Sequence, residues 1–243
     1  MKKLCVFWVL MLSIMSMQAQ TLESVLAGYH KAIGGLDKYP LKGSVIIKAK
    51  SQGGGGGEKR PMSFTFKAPN KSRMDYTIQP GLVYTRAFDG VQGWTIQPWT
   101  GSMEPQPLNA DDSRDAKRMI KTMWNDLILN GSDGTKLEYT GKDEIEGSEV
   151  FVVNAKHTDG TVMVYYLDVD SYLLIKIVTK SLESGILVES EMFPGDYEIV
   201  DGRTLPFTLE SKSNGESNGS TFVQHYDFSS NIDDVFFMIP VKH

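Results

Sequence analysis

Apolar and polar residues alternate along most of the chain, and a period of two predicts β-strands with one buried face. Met62, Phe64 and Phe66, for example, are apolar, while the two residues between them are polar. Turn pairs such as Asp159-Gly160 separate successive segments, as expected between antiparallel strands. The pattern therefore predicts ten or more strands in meander order, in a sheet with one face toward water.

In two segments the apolar residues recur at helical spacing instead of alternating with polar ones. The first, residues 21–35, carries an apolar stripe with Thr21 as its N-cap and a Gly-Gly pair at its end. The second follows a polar loop and is predicted as one helix over residues 119–128, which an Asn-Gly pair closes. Because so large a sheet must curl, we expect both helices to cover its inner face. Core packing explains the second stripe as easily as contact with a ligand does.

Aromatic residues flank a predicted turn in the stretch RAFDGVQGWTIQPWTG, residues 86–101. Asp89-Gly90 marks a hairpin turn, since glycine accepts a positive φ at little cost. Tyr84 precedes the turn and Trp94 follows it, and the alternation places both rings on buried faces. These rings line an interior, which is either an ordinary core or a ligand cavity.

The first nineteen residues have the pattern of a secretory signal peptide. Two lysines precede an apolar run from Val6 to Met15, and Ala19 supplies a small residue for cleavage. This run is too short to span a membrane as a helix. We therefore expect a signal peptide at 1–19 and a single exported, soluble domain at 20–243.

The charge of the chain argues against several classes of partner. Its 243 residues include 25 basic and 30 acidic ones, a formal net charge of −5. A negative surface disfavours nucleic acid and simple adhesion to anionic lipid head groups. The one cysteine, Cys5, lies in the predicted signal peptide, so the mature chain must be stabilised by its core without a disulfide.

Candidate catalytic and metal-binding residues are sparse. The four histidines are scattered and form no His-x-x-x-His pair, so no metal site is expected. Aspartate at a loop or strand end commonly caps or turns the backbone, so we expect neither an enzyme nor a cofactor. Three carboxylate pairs at such ends could still supply an acid and a base if two of them met: Asp111/Asp112, Asp168/Asp170 and Asp233/Asp234.

The order of several motifs resembles that of the periplasmic outer-membrane lipoprotein carriers, the LolA-like proteins that share a fold with LolB and LppX. FKAPNKSRMDY at 66–76 and FDGVQGWTIQPWTG at 88–101 follow a predicted N-terminal helix, and Phe-x-x-x-Pro stands near the C-terminus. The resemblance covers residues 21–128 best. It implies a mainly β (α+β) fold, in which a curled antiparallel sheet forms an unclosed half-barrel and helices lid its concave face.

The same resemblance implies an apolar chamber for acyl chains under the helices. Together with the alternation of each strand, it places nine residues in that chamber: Phe64, Phe66, Met74, Tyr76, Tyr84, Trp94, Met119, Met123 and Trp124. Ala68 stands where the family has an arginine that helps to hold the lid shut. A lid without that hydrogen bond is expected to open more easily.

The resemblance further implies a monomeric periplasmic protein that binds acylated lipoproteins or lipids and transports them in outer-membrane biogenesis. Such a protein needs no catalysis and no cofactor. Its protein partners would be an inner-membrane donor and an outer-membrane acceptor. An alternative is an envelope sensor, in which the same fold binds a partner protein through an exposed apolar patch.

Export gives a direct test of the predicted signal peptide. We expect the mature protein to begin at Gln20 and to appear in the periplasmic fraction, because a basic start, an apolar run and a small-residue exit are all present. The measurement is N-terminal sequencing of protein released by osmotic shock. Recovery of intact Met1–His243 in the membrane fraction would contradict the prediction.

Overall fold

The fold is built on one antiparallel sheet of thirteen strands. The computed structural model describes residues 20–183 and 185–240, so the predicted signal peptide lies outside the described residues. The strands are β1 (Ser44–Gly53), β2 (Arg60–Lys67), β3 (Lys71–Gln79), β4 (Leu82–Phe88), β5 (Gly93–Ile96), β6 (Gln106–Pro107), β7 (Lys136–Ile145), β8 (Ser148–Lys156), β9 (Val162–Asp168), β10 (Leu174–Glu183), β11 (Ile186–Val200), β12 (Arg203–Ser213) and β13 (Glu216–Asp227).

The strand order places the first and last strands side by side in the sheet. From β1 the chain steps through β2 to β6 at one edge, resumes at β7 on the opposite edge, and returns through β8 to β13, which pairs with β1. The edges β6 and β7 do not pair, so the sheet is an unclosed half-barrel, as predicted. Residues 108–135, here called the crossing segment, must therefore pass over one face of the sheet.

Short helices lie at the start of the chain and in the crossing segment. Helix α1 (Leu22–Ala32) begins after Thr21, whose hydroxyl accepts a hydrogen bond from the Ser24 amide at 3.3 Å. Helices α2 (Ala110–Arg118) and α3 (Asp126–Leu129) belong to the crossing segment, with a 3-10 turn, Met119–Thr122, between them. The first predicted helix is thus confirmed.

The prediction of one helix over residues 119–128 is wrong. Helix α2 comes before that range, and its cap Asn109 accepts a hydrogen bond from the Asp112 amide at 2.8 Å. Asn125 interrupts the range because its backbone is extended, with φ −70° and ψ 171°, and its side chain caps α3 through the Ile128 amide. The apolar stripe is therefore divided between two separate short turns.

The concave face of the sheet is apolar and packs against the helices. Val45 and Ile47 of β1 lie opposite Phe66 and Phe64 of β2, so all four side chains point to the same side. The crossing segment adds Leu127 to the same buried cluster, and α1 packs beside it. The core of the protein is therefore the layer between the concave face and its helical cover.

Trp94 lies on the convex face, contrary to the prediction. It pairs with Ala87, so the loop over residues 89–92 sets a register that turns it away from the side of Tyr84. The ring is only 1 % exposed because the C-terminal segment covers it, and its Nε1 donates to the carbonyl of Phe237 at 2.7 Å. A one-residue difference in register thus moved the tryptophan from the chamber to the opposite face.

This C-terminal contact predicts that two nearby side chains contribute very differently to the stability of the protein. Phe237 is completely buried whereas Val235 is 66 % exposed. We expect Phe237→Ala to lower the free energy of unfolding by about 3–5 kcal/mol, because it leaves a cavity over Trp94. Val235→Ala is the matched control and should change it by less than about 0.5 kcal/mol. Urea denaturation checks both values, and equal effects would mean that the segment does not stabilise the convex face.

Candidate functional site

An apolar cavity, the concave cavity, lies between the helices and the middle strands of the sheet. Its volume is about 50 Å³, enough for roughly four water-sized groups. Helix α1 supplies Tyr29 and Ile33, and the crossing segment supplies Met123. The strands supply most of the remaining wall: Ile47, Phe64, Leu174, Ile177, Met192, Leu205, Val223 and Tyr226.

Tyrosine hydroxyls are the main polar groups of this cavity. Burial raises the pKa of Tyr39 to about 12 and raises the pKa of Tyr29, Tyr197 and Tyr226 above the ordinary tyrosine value. All four rings are therefore neutral at physiological pH. No lysine, arginine, aspartate or glutamate of the described chain lines the cavity, so its wall carries no charge.

A more open groove of about 260 Å³, the mouth groove, lies next to the concave cavity. Thr122, Ile177 and Met192 line both spaces. Met119 and Met163 add apolar surface to the groove. The two spaces are therefore neighbours, divided by side chains that they share.

The structure brings three of the nine predicted chamber residues to these spaces. Phe64 and Met123 line the concave cavity, and Met119 lines the mouth groove. Phe66 and Trp124 are buried in the core without lining either space. All five of these side chains belong to the apolar layer between the sheet and the crossing segment.

The other four predicted residues lie elsewhere. Met74 lies opposite Phe64 and shares its face of the sheet, and Tyr84 lies opposite Tyr76. These three side chains are half-buried on β3 and β4, outside the lining of the concave cavity. Trp94 is on the convex face, as described above.

Helix α2 is fixed to the sheet by hydrogen bonds from β3 and β4. Arg86 donates to the carbonyl of Asp112 at 2.7 Å and lies 3.6 Å from the carboxylate of Asp115. The Ser72 hydroxyl donates to the carbonyl of Ala116 at 2.5 Å. Ala68 itself is buried in the core. The expectation of a lid without a hydrogen-bonding contact is therefore wrong, because other side chains make such contacts.

A buried polar network fixes α3 at the other end of the crossing segment. Asp126 is completely buried, and its carboxylate accepts a hydrogen bond from the Tyr165 hydroxyl at 2.8 Å. His157 Nε2 lies 2.9 Å from the same carboxylate, and Lys121 Nζ lies 2.6 Å from it. Lys121 also reaches Asp133 at 2.5 Å. The network joins α3, the preceding 3-10 turn and strand β9.

These contacts set the charge of the buried carboxyl group. Burial alone raises the pKa of Asp126, but the hydrogen bond from His157 and the charge of Lys121 outweigh it and hold the pKa below its ordinary value of 3.8. The pKa of Asp133 is lowered to about 2, where the contacts with Lys121 and Thr135 outweigh the effect of burial. Both groups are therefore carboxylates at neutral pH.

The same network contains three potential metal ligands that the sequence did not reveal. Ligand atoms of Asp126, Asp133 and His157 all lie within 4.8 Å of one another. The ammonium group of Lys121 already contacts both carboxylates, so a metal ion would have to displace it. No spacing motif signals the group, because Asp126 and His157 are 31 residues apart.

The predicted carboxylate pairs make local contacts. Asp168 accepts a hydrogen bond from the Ser171 hydroxyl at 2.7 Å in a tight turn. Asp234 forms ion pairs with Lys67 at 2.7 Å and Lys71 at 3.3 Å. Asp111 contacts Arg114 within α2. In the described part of the chain these groups cap, turn or pair, and none of them lines the concave cavity.

Comparison of this chain with known proteins identifies its fold. No protein-family model matches this chain, and no curated protein matches it either. Among solved structures 56 chains match. A LolA superfamily protein from Nitrosomonas europaea aligns with a TM-score of 0.59 and 14% identity, over 90% of this chain and 98% of that chain. The protein has a LolA-like fold.

Two further structures show the same LolA-like architecture. A domain from Vibrio parahaemolyticus, described as an outer membrane lipoprotein-sorting protein, aligns at 12% identity and a TM-score of 0.57 over 89% of this chain and 95% of that one. A DUF1329 family protein from Desulfovibrio piger aligns at 16% identity and a TM-score of 0.57, over 88% and 97% of the two chains. This confirms the fold that the order of motifs predicted.

The helices of this LolA-like structure are short. Within residues 20–183 and 185–240, none is long and apolar enough to pass through a membrane. The fold and its enclosed apolar space fit a protein that binds a ligand.

The buried network predicts how stability depends on pH. Since the pKa of Asp126 is lower in the folded state, its carboxylate stabilises the fold above about pH 4, and this contribution is lost as the pH falls through the folded pKa. We expect Asp126→Asn to be about 3 kcal/mol less stable than the wild type at pH 7, because Lys121 and His157 lose a buried partner.

The difference in free energy of unfolding between the wild type and Asp126→Asn should shrink as the pH is lowered below 3.8. Urea denaturation across this pH range measures it. Asp143→Asn, at an exposed strand position, is the matched control. Its free energy of unfolding should differ from that of the wild type by less than about 0.5 kcal/mol at any pH. A pH-independent difference at Asp126 would show that its charge does not contribute.

Proposed function

We propose that this protein binds the acyl chain of a lipid or lipoprotein in the concave cavity and carries it through the periplasm without catalysis. The uncharged cavity, with the mouth groove beside it, carries the proposal. The similarity to a Vibrio parahaemolyticus domain described as an outer membrane lipoprotein-sorting protein supports it. In this role a membrane donor and a membrane acceptor are the expected partners.

Burial of methylene groups supplies the binding free energy. Each buried methylene contributes about 0.8 kcal/mol, so a long chain binds without any charged contact. The cavity of about 50 Å³ is too small for such a chain, and side chains must move to admit it. Met123 lines the cavity and Met119 lines the groove, and methionine adapts readily because its side chain is unbranched. Displacement of these two side chains would join the two spaces into one chamber.

Filling the cavity tests the proposal. Val223 is 8 % exposed on β13 and lines the concave cavity. We expect Val223→Phe to weaken binding of a fluorescent acyl probe by about tenfold or more, because the added ring occupies the space of the chain. Val83→Phe, on the outer face of β4, is the matched control and should bind as the wild type does.

Thermal midpoints of both variants establish that each protein is folded before titration. Equal probe affinity for the wild type and Val223→Phe would place the acyl site outside the cavity and contradict the proposal. Mass spectrometry of lipids that copurify with the wild-type protein would then identify the natural ligand.

One observation favours a second candidate function, the docking of a partner protein. Leu182 and Leu187 face each other across the β10–β11 hairpin and are each 63 % exposed, and neighbouring Ile186 is 69 % exposed. Apolar side chains grouped at the end of a hairpin are typical of interaction surfaces. Docking there would not be affected by Val223→Phe, so the cavity variant also separates the two functions.

A further inference from the structure

A second cavity, larger than the first, lies beside the crossing segment. It has a volume of about 400 Å³ and is called here the basic groove. One wall is formed by α2 and the 3-10 turn that follows it, and the opposite wall by residues 132–135 and 157–159. Ile120 and Leu129 give it an apolar part, so it suits a ligand with both polar and apolar surface.

The helical wall of the basic groove is rich in cations. Arg114, Lys117 and Lys121 are spaced three and four residues apart, Arg118 follows directly on Lys117, and all four line this wall. Two carboxylates, Asp133 and Asp159, also line the groove. Its lining therefore carries more positive than negative charge, although the chain as a whole has a net charge of −5.

Two of these cations have donors left for a ligand. Arg114 contacts Asp111 within α2 and lies 3.5 Å from the carbonyl of Leu182, but a guanidinium group has five N–H donors and these two partners cannot use them all. Lys117 is exposed and makes no ion pair with any residue in 20–183 or 185–240. Lys121, in contrast, is held between Asp126 and Asp133. The free donors of the groove thus belong mainly to Arg114 and Lys117.

The basic groove lies next to the mouth groove, which adjoins the cavity proposed for the acyl chain. Arg118 and Lys121 line both the basic groove and the mouth groove. The mouth groove in turn shares Thr122 and Met192 with the concave cavity. The three spaces therefore lie next to one another in the order basic groove, mouth groove and concave cavity, from a cationic site to an uncharged one.

We propose that the basic groove binds an anionic head group, a phosphate or a carboxylate, of the ligand whose acyl chain lies in the concave cavity. This inference rests on the proposed function and narrows it to anionic amphiphiles. Hydrogen bonds from guanidinium and ammonium groups to an anion are short and strong, whereas a neutral head group would leave Lys117 without an anionic partner in the groove. The chain supplies affinity, and the head group supplies selectivity.

The experiment compares two ligands that differ only in the head group. Lysophosphatidic acid and monoacylglycerol with the same acyl chain are titrated against the wild-type protein below their micellar concentrations. We expect lysophosphatidic acid to bind about tenfold more tightly at roughly 50 mM salt, and this preference to decrease at roughly 500 mM salt as the charges are screened. Affinity for monoacylglycerol should not change with salt.

The variant Arg114→Gln/Lys117→Gln tests the assigned residues. We expect its preference for lysophosphatidic acid to fall to about twofold or less, with unchanged affinity for monoacylglycerol. The matched control Lys31→Gln/Lys50→Gln removes two exposed lysines from α1 and β1 and should keep the full preference. Inorganic phosphate is added as a competitor: displacement of lysophosphatidic acid shows that the site also takes free phosphate, and no displacement shows that it requires the lipid.

The outcomes separate this inference from the proposed function. Equal binding of the two ligands by the wild type would overturn the anionic site and leave acyl binding intact. Full preference in the Arg114→Gln/Lys117→Gln variant would overturn the assignment to the basic groove. Failure of the wild type to bind either ligand would overturn the proposed function, and this inference with it.

Discussion

The apolar concave face of an open sheet has to be covered, and the strand order decides what covers it. Because β6 and β7 lie at opposite edges, the chain between them must cross the sheet, and it does so over the apolar side. The helical cover is thus the connection that this topology requires. The concave cavity lies beneath it, so the space for a ligand follows from the order of the strands.

Polar contacts hold the crossing segment at α2 and at α3, while Met123 between them packs in the apolar layer. Arg86 fixes α2, and Tyr165 and His157 fix α3 through Asp126. Hydrogen bonds need defined geometry, whereas apolar packing around Met123 tolerates rearrangement. The side chain of Met123 can therefore rearrange while α2 and α3 stay in place. This division suits a protein that must admit and release a ligand without unfolding.

Net charge describes the surface of the protein as an average, whereas a bound ligand interacts with the charges of one local surface. The acidic composition of the chain argued against affinity for anionic lipid head groups, and as an average this is correct. Helix α2 and the following turn nevertheless concentrate four cations on one wall of a groove. Only the folded chain shows which charges share a surface, because ion pairs such as Arg86 with Asp115 neutralise others.

The sequence by itself determined the strands, the first helix and the LolA-like architecture, since alternation, caps and turn residues act between near neighbours. Phe64 and Met123, which the sequence assigned to a chamber, line the concave cavity. The tertiary structure decided the rest. The register across the loop at 89–92 moved Trp94 to the convex face, and the pairing of Asp126 with His157 joined residues 31 positions apart. Such features depend on contacts between distant segments, and no local pattern of residues records them.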